Sequence, residues 1–136
     1  MIRVAGNIVA PSQVGSVEFA AARFGTRLVV VLGHSACGAI EATLEELLQP
    51  SSRQSRNLRS IVNRIRPSVE EMMKTELRND LDTLVQRAVR ANVDVSVNQL
   101  RRGSEILEQL IRTDGLLIVG AEYSIATGKV EFFHDS

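Results

Sequence analysis

The sequence of 136 residues has no excess charge of either sign, almost no cysteine and no long apolar run. Its 16 lysines and arginines balance 16 aspartates and glutamates, so no long-range field attracts nucleic acid or an anionic membrane. No apolar run approaches the length of a membrane-spanning helix, and residues 1–4 do not resemble a secretory signal. We therefore expect a small molecule or a protein as the partner, with no nucleic acid and no membrane.

Cys37 is the only cysteine, so the chain cannot form an internal disulfide. This predicts a reducing, cytoplasmic location. The length suits one domain over residues 1–136, and a hydrophobic content of 44% is sufficient for a buried core. The sequence contains no internal repeat and no low-complexity segment.

Two aliphatic runs, residues 27–32 and 116–119, predict buried strands. The first run is continuous and β-branched, which is typical of a strand buried on both faces of a parallel sheet. Residues 2–4 predict a strand end, and residues 126–128 predict a hairpin turn into a last strand at residues 129–133.

Helical signals fill the rest of the chain, apart from a polar loop at residues 50–57. They predict a helix capped by Ser16 and ended by Gly25, apolar stripes within residues 39–49, 58–73 and 81–100, and a helix capped by Ser104. The fold class is therefore α/β, with a mostly parallel sheet flanked by helices and an antiparallel edge hairpin at the C-terminus.

His34 and Cys37 follow the first buried strand, where ligands usually bind in such folds. Imidazole and thiolate are donors that zinc prefers, and a spacing of two residues lets both side chains converge from one turn. The spacing alone leaves a second interpretation open: Cys37 is a small buried hydrophobe and His34 is a satisfied turn residue.

The same segment partly matches three other kinds of site. Gly33-His34-Ser35-Ala36 imitates a serine-hydrolase nucleophile elbow, and Asp114 and His134 follow in the right chain order, but Cys37 replaces the second glycine of the elbow. A phosphate-binding loop lacks its Lys-Ser/Thr pair. A thiol nucleophile at Cys37 would need His34 or His134 as its base.

A family resemblance bears on whether His34 and Cys37 bind a metal, which their spacing leaves open. The segments that carry it are Val4-Ala5-Gly6-Asn7, Gly15-Ser16-Val17-Glu18-Phe19-Ala20, the run from Val29 to Ala39 with Gly33-His34-Ser35-Ala36-Cys37-Gly38, Leu117-Ile118-Val119-Gly120-Ala121, and Thr127-Gly128-Lys129-Val130. Together they resemble the bacterial β-class carbonic anhydrases over nearly the whole chain. The resemblance implies that His34 and Cys37 bind zinc, and that a zinc-bound water attacks carbon dioxide to give bicarbonate, reversibly. It also implies a parallel-sheet unit that forms homodimers or higher homo-oligomers.

The chain departs from the family pattern at its start. The family's Cys-x-Asp-x-Arg motif, which supplies a second thiolate and an Asp–Arg pair, lies upstream of the segment matched by Val4–Asn7. We therefore expect a truncated core, name no catalytic residue, and expect impaired activity unless His134, a carboxylate or another subunit supplies a third ligand. One alternative is a non-catalytic, zinc-poor core that only folds and self-associates. Another is hydrolysis of a related small substrate such as carbonyl sulfide.

Overall fold

The computed structural model describes residues 1–51 and 55–133, and these form five α-helices and three strands. The elements are α1 (Pro11–Phe24), β1 (Leu28–His34), α2 (Gly38–Leu48), α3 (Arg56–Met73), α4 (Leu81–Arg102), α5 (Glu105–Thr113), β2 (Leu117–Tyr123) and β3 (Val130–Phe132), with short 3-10 turns at Ala5–Asn7 and Glu76–Asn79. Within the described ranges, no helix has both the length and the apolarity needed to cross a membrane.

The three strands form one sheet in the order β1-β2-β3. β1 and β2 run parallel, in register from Leu28 opposite Leu117 to His34 opposite Tyr123. β2 and β3 pair antiparallel over three residues, after the turn that the sequence predicted at residues 126–128. The predicted α/β class, with a parallel pair and an antiparallel edge hairpin, is confirmed.

Local signals account for most helix boundaries. Gly25 adopts a left-handed conformation (φ 68°) and ends α1, and the Ser104 hydroxyl accepts a hydrogen bond from the Leu107 amide at the start of α5. The predicted cap at Ser16 is wrong: α1 already begins at Pro11, whose fixed φ suits the first helical turn, and the Ser16 hydroxyl donates to the Ser12 carbonyl within the helix. The predicted strand at residues 2–4 is not formed.

Helix α4 organises the core. Val93 and Val97 of α4 pack on the β1–β2 pair in one apolar cluster, while Leu84 and Val89 join a second cluster with α2 and α3. The same helix holds the 3-10 turn at Ala5–Asn7, because Asn92 Nδ2 donates to the Gly6 carbonyl at 2.6 Å and Ser96 Oγ donates to the Asn7 carbonyl. The N-terminal segment is thereby fixed beside the end of β1.

The prediction that the first strand is buried on both faces is wrong. Val31 is 8% exposed, but Leu28, Val30 and Leu32, which alternate with it, are 57%, 39% and 47% exposed. These three side chains point away from α4, and β1 is also an edge of the sheet. A groove of about 1070 Å³ opens along β1, beside residues 1–9 and α1. A continuous apolar run does not specify what covers each face of its strand.

Candidate metal site after strand β1

The turn between β1 and α2 is fixed by backbone and hydroxyl hydrogen bonds. The Ser35 amide donates to the Tyr123 carbonyl at 2.9 Å, and the Ser35 hydroxyl accepts from the Ile125 amide at 2.9 Å. Ala36 then adopts a positive φ of 52°, and Cys37 lies at the N-cap of α2. The predicted strand–turn–helix is confirmed, and it lies where the parallel strands end, the usual ligand position in α/β folds.

His34 is exposed, and its ring orientation is set by its own turn. Its Nδ1 lies 2.8 Å from the Ser35 carbonyl oxygen. Because a carbonyl only accepts, Nδ1 carries the proton in this contact, and in the neutral ring the lone pair is then on Nε2. Metal-binding histidines typically donate their second ring nitrogen in this way. The arrangement therefore suits His34 as a ligand through Nε2.

Cys37 lies in a different environment. It is 4% exposed and belongs to the apolar cluster formed by α2, α3 and α4, together with Ile40, Ile65 and Val89. That burial matches the interpretation of Cys37 as a small hydrophobe. The structure therefore brings His34 and Cys37 to one turn, with the imidazole toward solvent and the thiol toward the core.

A zinc site with only these two ligands is incomplete. Catalytic zinc normally has three protein ligands and a water. Within residues 1–51 and 55–133, no group of three or more His, Cys, Asp or Glu side chains is placed to hold a metal ion. His134, a predicted candidate for the third ligand, lies outside the described residues. The donor types at His34 and Cys37 fit zinc, but the number of donors does not, and we assign no catalytic step to them.

The serine-hydrolase alternative is wrong. Asp114 Oδ2 lies 2.8 Å from the Arg27 guanidinium, beside the residues where β1 and β2 begin. Ser35 lies past the carboxyl end of β1, at the opposite end of the strands. The acid and the proposed nucleophile are thus separated by the length of a strand, which no hydrogen-bonded triad can span.

Glu122 is a residue near the site that sequence analysis missed. It lies opposite Gly33 on β1 and opposite Glu131 on β3, half-buried. Burial raises the pKa of the Glu122 carboxyl above its ordinary 4.5, and the Glu131 carboxylate raises it further, whereas Arg90 and His34 lower it. The signal that could have indicated Glu122 is that it is the single acidic residue within the apolar run Leu117–Tyr123.

Glu122→Gln is expected to change how stability depends on pH. Between pH 4.5 and the raised pKa of Glu122, the folded chain holds the proton more tightly than the unfolded chain, so the free energy of unfolding falls as pH rises. Glutamine does not titrate, so the variant should gain stability over the parent above this window and not below it. Urea unfolding across this pH range measures the difference.

Glu131→Gln is the matched control for that experiment. It removes the Glu131 charge, the second cause of the raised Glu122 pKa, and leaves the burial of Glu122 unchanged. The pH dependence of stability should therefore decrease only in part. A stability difference between Glu122→Gln and the parent that is the same at every pH would contradict the assignment.

Comparison with known proteins identifies the family. The sequence profile described as carbonic anhydrase matches residues 1–130. This chain belongs to the carbonic anhydrase family. A carbonic anhydrase of Mycolicibacterium smegmatis is 34% identical over 131 residues, which are 96% of this chain and 61% of that protein. Carbonic anhydrase 2 of Mycobacterium tuberculosis is 30% identical over 95% of this chain and 59% of its own length.

Solved carbonic anhydrase structures share the fold. The β-carbonic anhydrase of Coccomyxa, solved with acetazolamide, has a TM-score of 0.82 and 20% identity over 97% of this chain and 59% of that one. A tetrameric β-carbonic anhydrase of Sordaria macrospora has a TM-score of 0.73 and 22% identity over 95% of this chain and 64% of that one. This chain thus spans about 60% of the length of the curated relatives that it matches.

Proposed function

We propose that this chain supplies two ligands, His34 and Cys37, to the zinc centre of a β-class carbonic anhydrase. The complete centre would interconvert carbon dioxide and bicarbonate. The observation that carries the proposal is the hydrogen bond from His34 Nδ1 to the Ser35 carbonyl. It leaves Nε2 available as a metal ligand where the parallel strands end. Cys37 follows two residues beyond Ser35, at the start of α2.

By itself, the chain is proposed to have impaired activity. Two ligands hold zinc less tightly than three, and a hydration catalyst needs the metal to remain bound while water occupies its open position. A third ligand would come from His134, a carboxylate or another subunit.

Stopped-flow hydration of carbon dioxide tests the proposal. With zinc added in excess, the purified chain is expected to hydrate carbon dioxide no faster than the buffer, before and after addition of a chelator. Turnover well above the buffer rate that is lost in Cys37→Ala would contradict the proposed impairment, while it would support Cys37 as a zinc ligand.

The second candidate is a non-catalytic, zinc-poor core that acts only by folding and self-association. The 4% exposure of Cys37 within an apolar cluster favours it. Metal analysis of the purified chain separates the two candidates, because stoichiometric zinc excludes the second. Neither candidate depends on whether a complete pocket would accept carbon dioxide or a related small substrate such as carbonyl sulfide.

Partners and location follow the same family expectation. The proposed small-molecule partners are carbon dioxide and bicarbonate, and the proposed macromolecular partner is a second copy of the chain, in a homodimer or higher homo-oligomer. The Sordaria macrospora structure, described as tetrameric, supports this proposal. The single cysteine supports a cytoplasmic location.

A further inference from the structure

Helix α3 has an uneven charge distribution that the candidate metal site does not use. Residues 55–69 contain four arginines, at positions 56, 59, 64 and 66, and no acidic residue or lysine. The chain as a whole has a formal net charge of zero, so positive charge is concentrated in this short segment. The acidic residues Glu70 and Glu71 follow only at the C-terminal end of the helix.

This order of charges opposes the helix dipole. Backbone N–H groups make the N-terminal end of a helix positive, so acidic residues are favourable there and basic residues are not. Arg56 is nevertheless the first residue of α3, and the first turn contains no acid. The next two helices follow the usual order, with Asp82 in the first turn of α4 and Arg112 in the last turn of α5. A local rule that is broken by exposed side chains indicates a functional surface, because packing gains nothing from it.

Three of the four arginines line a pocket on the surface of α3. The pocket has a volume of about 500 Å³ and is lined by Arg56, Arg59, Ser60, Asn63 and Arg64. Positions 56, 60 and 64 are four residues apart and form one row along the helix, and positions 59 and 63 form the row beside it. All five side chains are exposed and can donate hydrogen bonds, and no carboxylate is among them.

No protein group neutralises the three arginines in the part of the chain that the structure describes. Their guanidinium groups form no ion pair and no hydrogen bond with any described residue. Arg27, in contrast, is paired with Asp114 at 2.8 Å. Three cations beside one pocket without an internal partner attract an anion into it.

We propose that this face of α3 binds a small anion that carries two or more phosphate groups. A guanidinium group can donate two parallel hydrogen bonds to a phosphate. Arg56 and Arg64 are two turns apart, about 12 Å along the helix axis, so a chain of phosphate groups fits the row better than a single phosphate ion. The pocket volume lies within the range of roughly 300–1,000 Å³ that is usual for small-molecule sites.

The lining of the pocket also indicates which part of such a ligand is recognised. No aromatic side chain lines the pocket, so a nucleobase would find no ring on which to stack. The phosphate chain is therefore the recognised group, whether it is free or part of a nucleotide. The basic rows are only two turns long and the chain has no net positive charge, which does not suit a nucleic acid. The proposal does not depend on zinc or on catalysis.

Isothermal titration calorimetry of the whole chain with inorganic tripolyphosphate, at low salt and without added metal, tests the proposal. The parent is expected to bind, with an affinity that falls as salt is raised, because the arginines are exposed. Arg56→Gln and Arg64→Gln should each weaken binding by about tenfold, since each removes a charged hydrogen-bond donor. The matched control is Arg112→Gln, at an exposed arginine of α5 outside the pocket, which should bind as the parent does.

The choice of anion tests the recognised group. Tripolyphosphate and ATP share a chain of three phosphates and should bind within about threefold of each other, because nothing in the pocket stacks on the base. Orthophosphate should bind at least about tenfold more weakly, because it contacts fewer of the guanidinium groups. Much tighter binding of ATP than of tripolyphosphate would overturn the phosphate chain as the recognised group. Orthophosphate that binds as tightly as tripolyphosphate would overturn the requirement for several phosphates.

Urea unfolding separates binding from a structural role of the arginines. Because Arg56 opposes the helix dipole, Arg56→Gln should leave the urea midpoint unchanged or raise it while it weakens binding. Binding and stability that are lost together would show that Arg56 supports the fold and does not bind the anion. A parent that does not bind tripolyphosphate would overturn the site, and so would an equal loss of affinity in Arg112→Gln and Arg64→Gln.

Discussion

Cobalt(II) bound to this chain is expected to show the strong ultraviolet charge-transfer absorption of a thiolate–metal bond, and Cys37→Ser is expected to abolish it. Cobalt takes the same nitrogen and sulfur donors as zinc in tetrahedral sites and makes the bond visible. Cys37 is the only thiol in the chain, so the band reports on one side chain. A chain that binds cobalt without this band would contradict Cys37 as a ligand.

Replacing the imidazole should weaken the same band. In His34→Ala the Nε2 donor is lost, and we expect cobalt affinity to fall by at least about tenfold, since one of only two assigned ligands is removed. His134→Ala is the matched variant at the other histidine. An equal loss there would identify His134 as the third ligand. An unchanged affinity would leave a carboxylate or another subunit as the source. If His34→Ala binds cobalt as tightly as the parent, the assignment of His34 is wrong.

Metal binding through Cys37 should depend on pH, because the ligand is a thiolate. A thiolate ligand must lose its proton, so binding releases a proton and strengthens as pH rises. Binding to Cys37 is therefore expected to be weaker at low pH, and the same cobalt titration measures it.

The turn that carries His34 and Cys37 could be predicted because its signals are local. A strand-forming run, two glycines and the start of a helical pattern occur within a dozen residues, and the structure confirms the strand, the turn and the helix. The start of α1 was missed because Pro11 and Ser16 are both helix-start signals, and the sequence does not rank them.

What could not be predicted depends on contacts between distant residues. The bond from Asn92 to the Gly6 carbonyl joins positions 86 residues apart, and no periodicity reveals it. The unequal faces of β1 have the same origin, since Val30 and Val31 are chemically identical and differ only in whether α4 lies above them. Glu122 acquired its raised pKa from burial and from Glu131 on a neighbouring strand.

Gly33→Ala is expected to destabilise the chain by about 1–3 kcal/mol, because overpacking a close contact displaces backbone. A Cβ at position 33 would lie 2.6 Å from Val93 Cγ2 and 3.4 Å from Val89 Cγ1, so the Val93 side chain, α4 or β1 must shift. Gly120, on the neighbouring strand, meets Val93 in the same way, at 2.8 Å from Cγ1. The close approach of α4 to the end of β1, and with it the position of His34, depends on these glycines.

Gly15→Ala is the matched control for Gly33→Ala. Gly15 lies within α1, and a Cβ there would meet nothing within 4 Å, so alanine should stabilise the chain by about 0.5–1 kcal/mol through its higher helix propensity. The two glycine-to-alanine changes are chemically identical and should shift the urea midpoint in opposite directions. If both variants lower the urea midpoint by the same amount, the Val93 contact is not the cause of the destabilisation in Gly33→Ala.

A double-mutant cycle isolates that contact. Val93→Ala alone should cost about 2 kcal/mol through lost burial and the cavity that remains. It also removes Cγ2, the atom that a side chain at position 33 would strike. Gly33→Ala made in the Val93→Ala background should therefore cost less than in the parent, with a coupling of about 0.5–3 kcal/mol. Additive costs would show that α4 does not pack on Gly33 in solution as closely as in this structure.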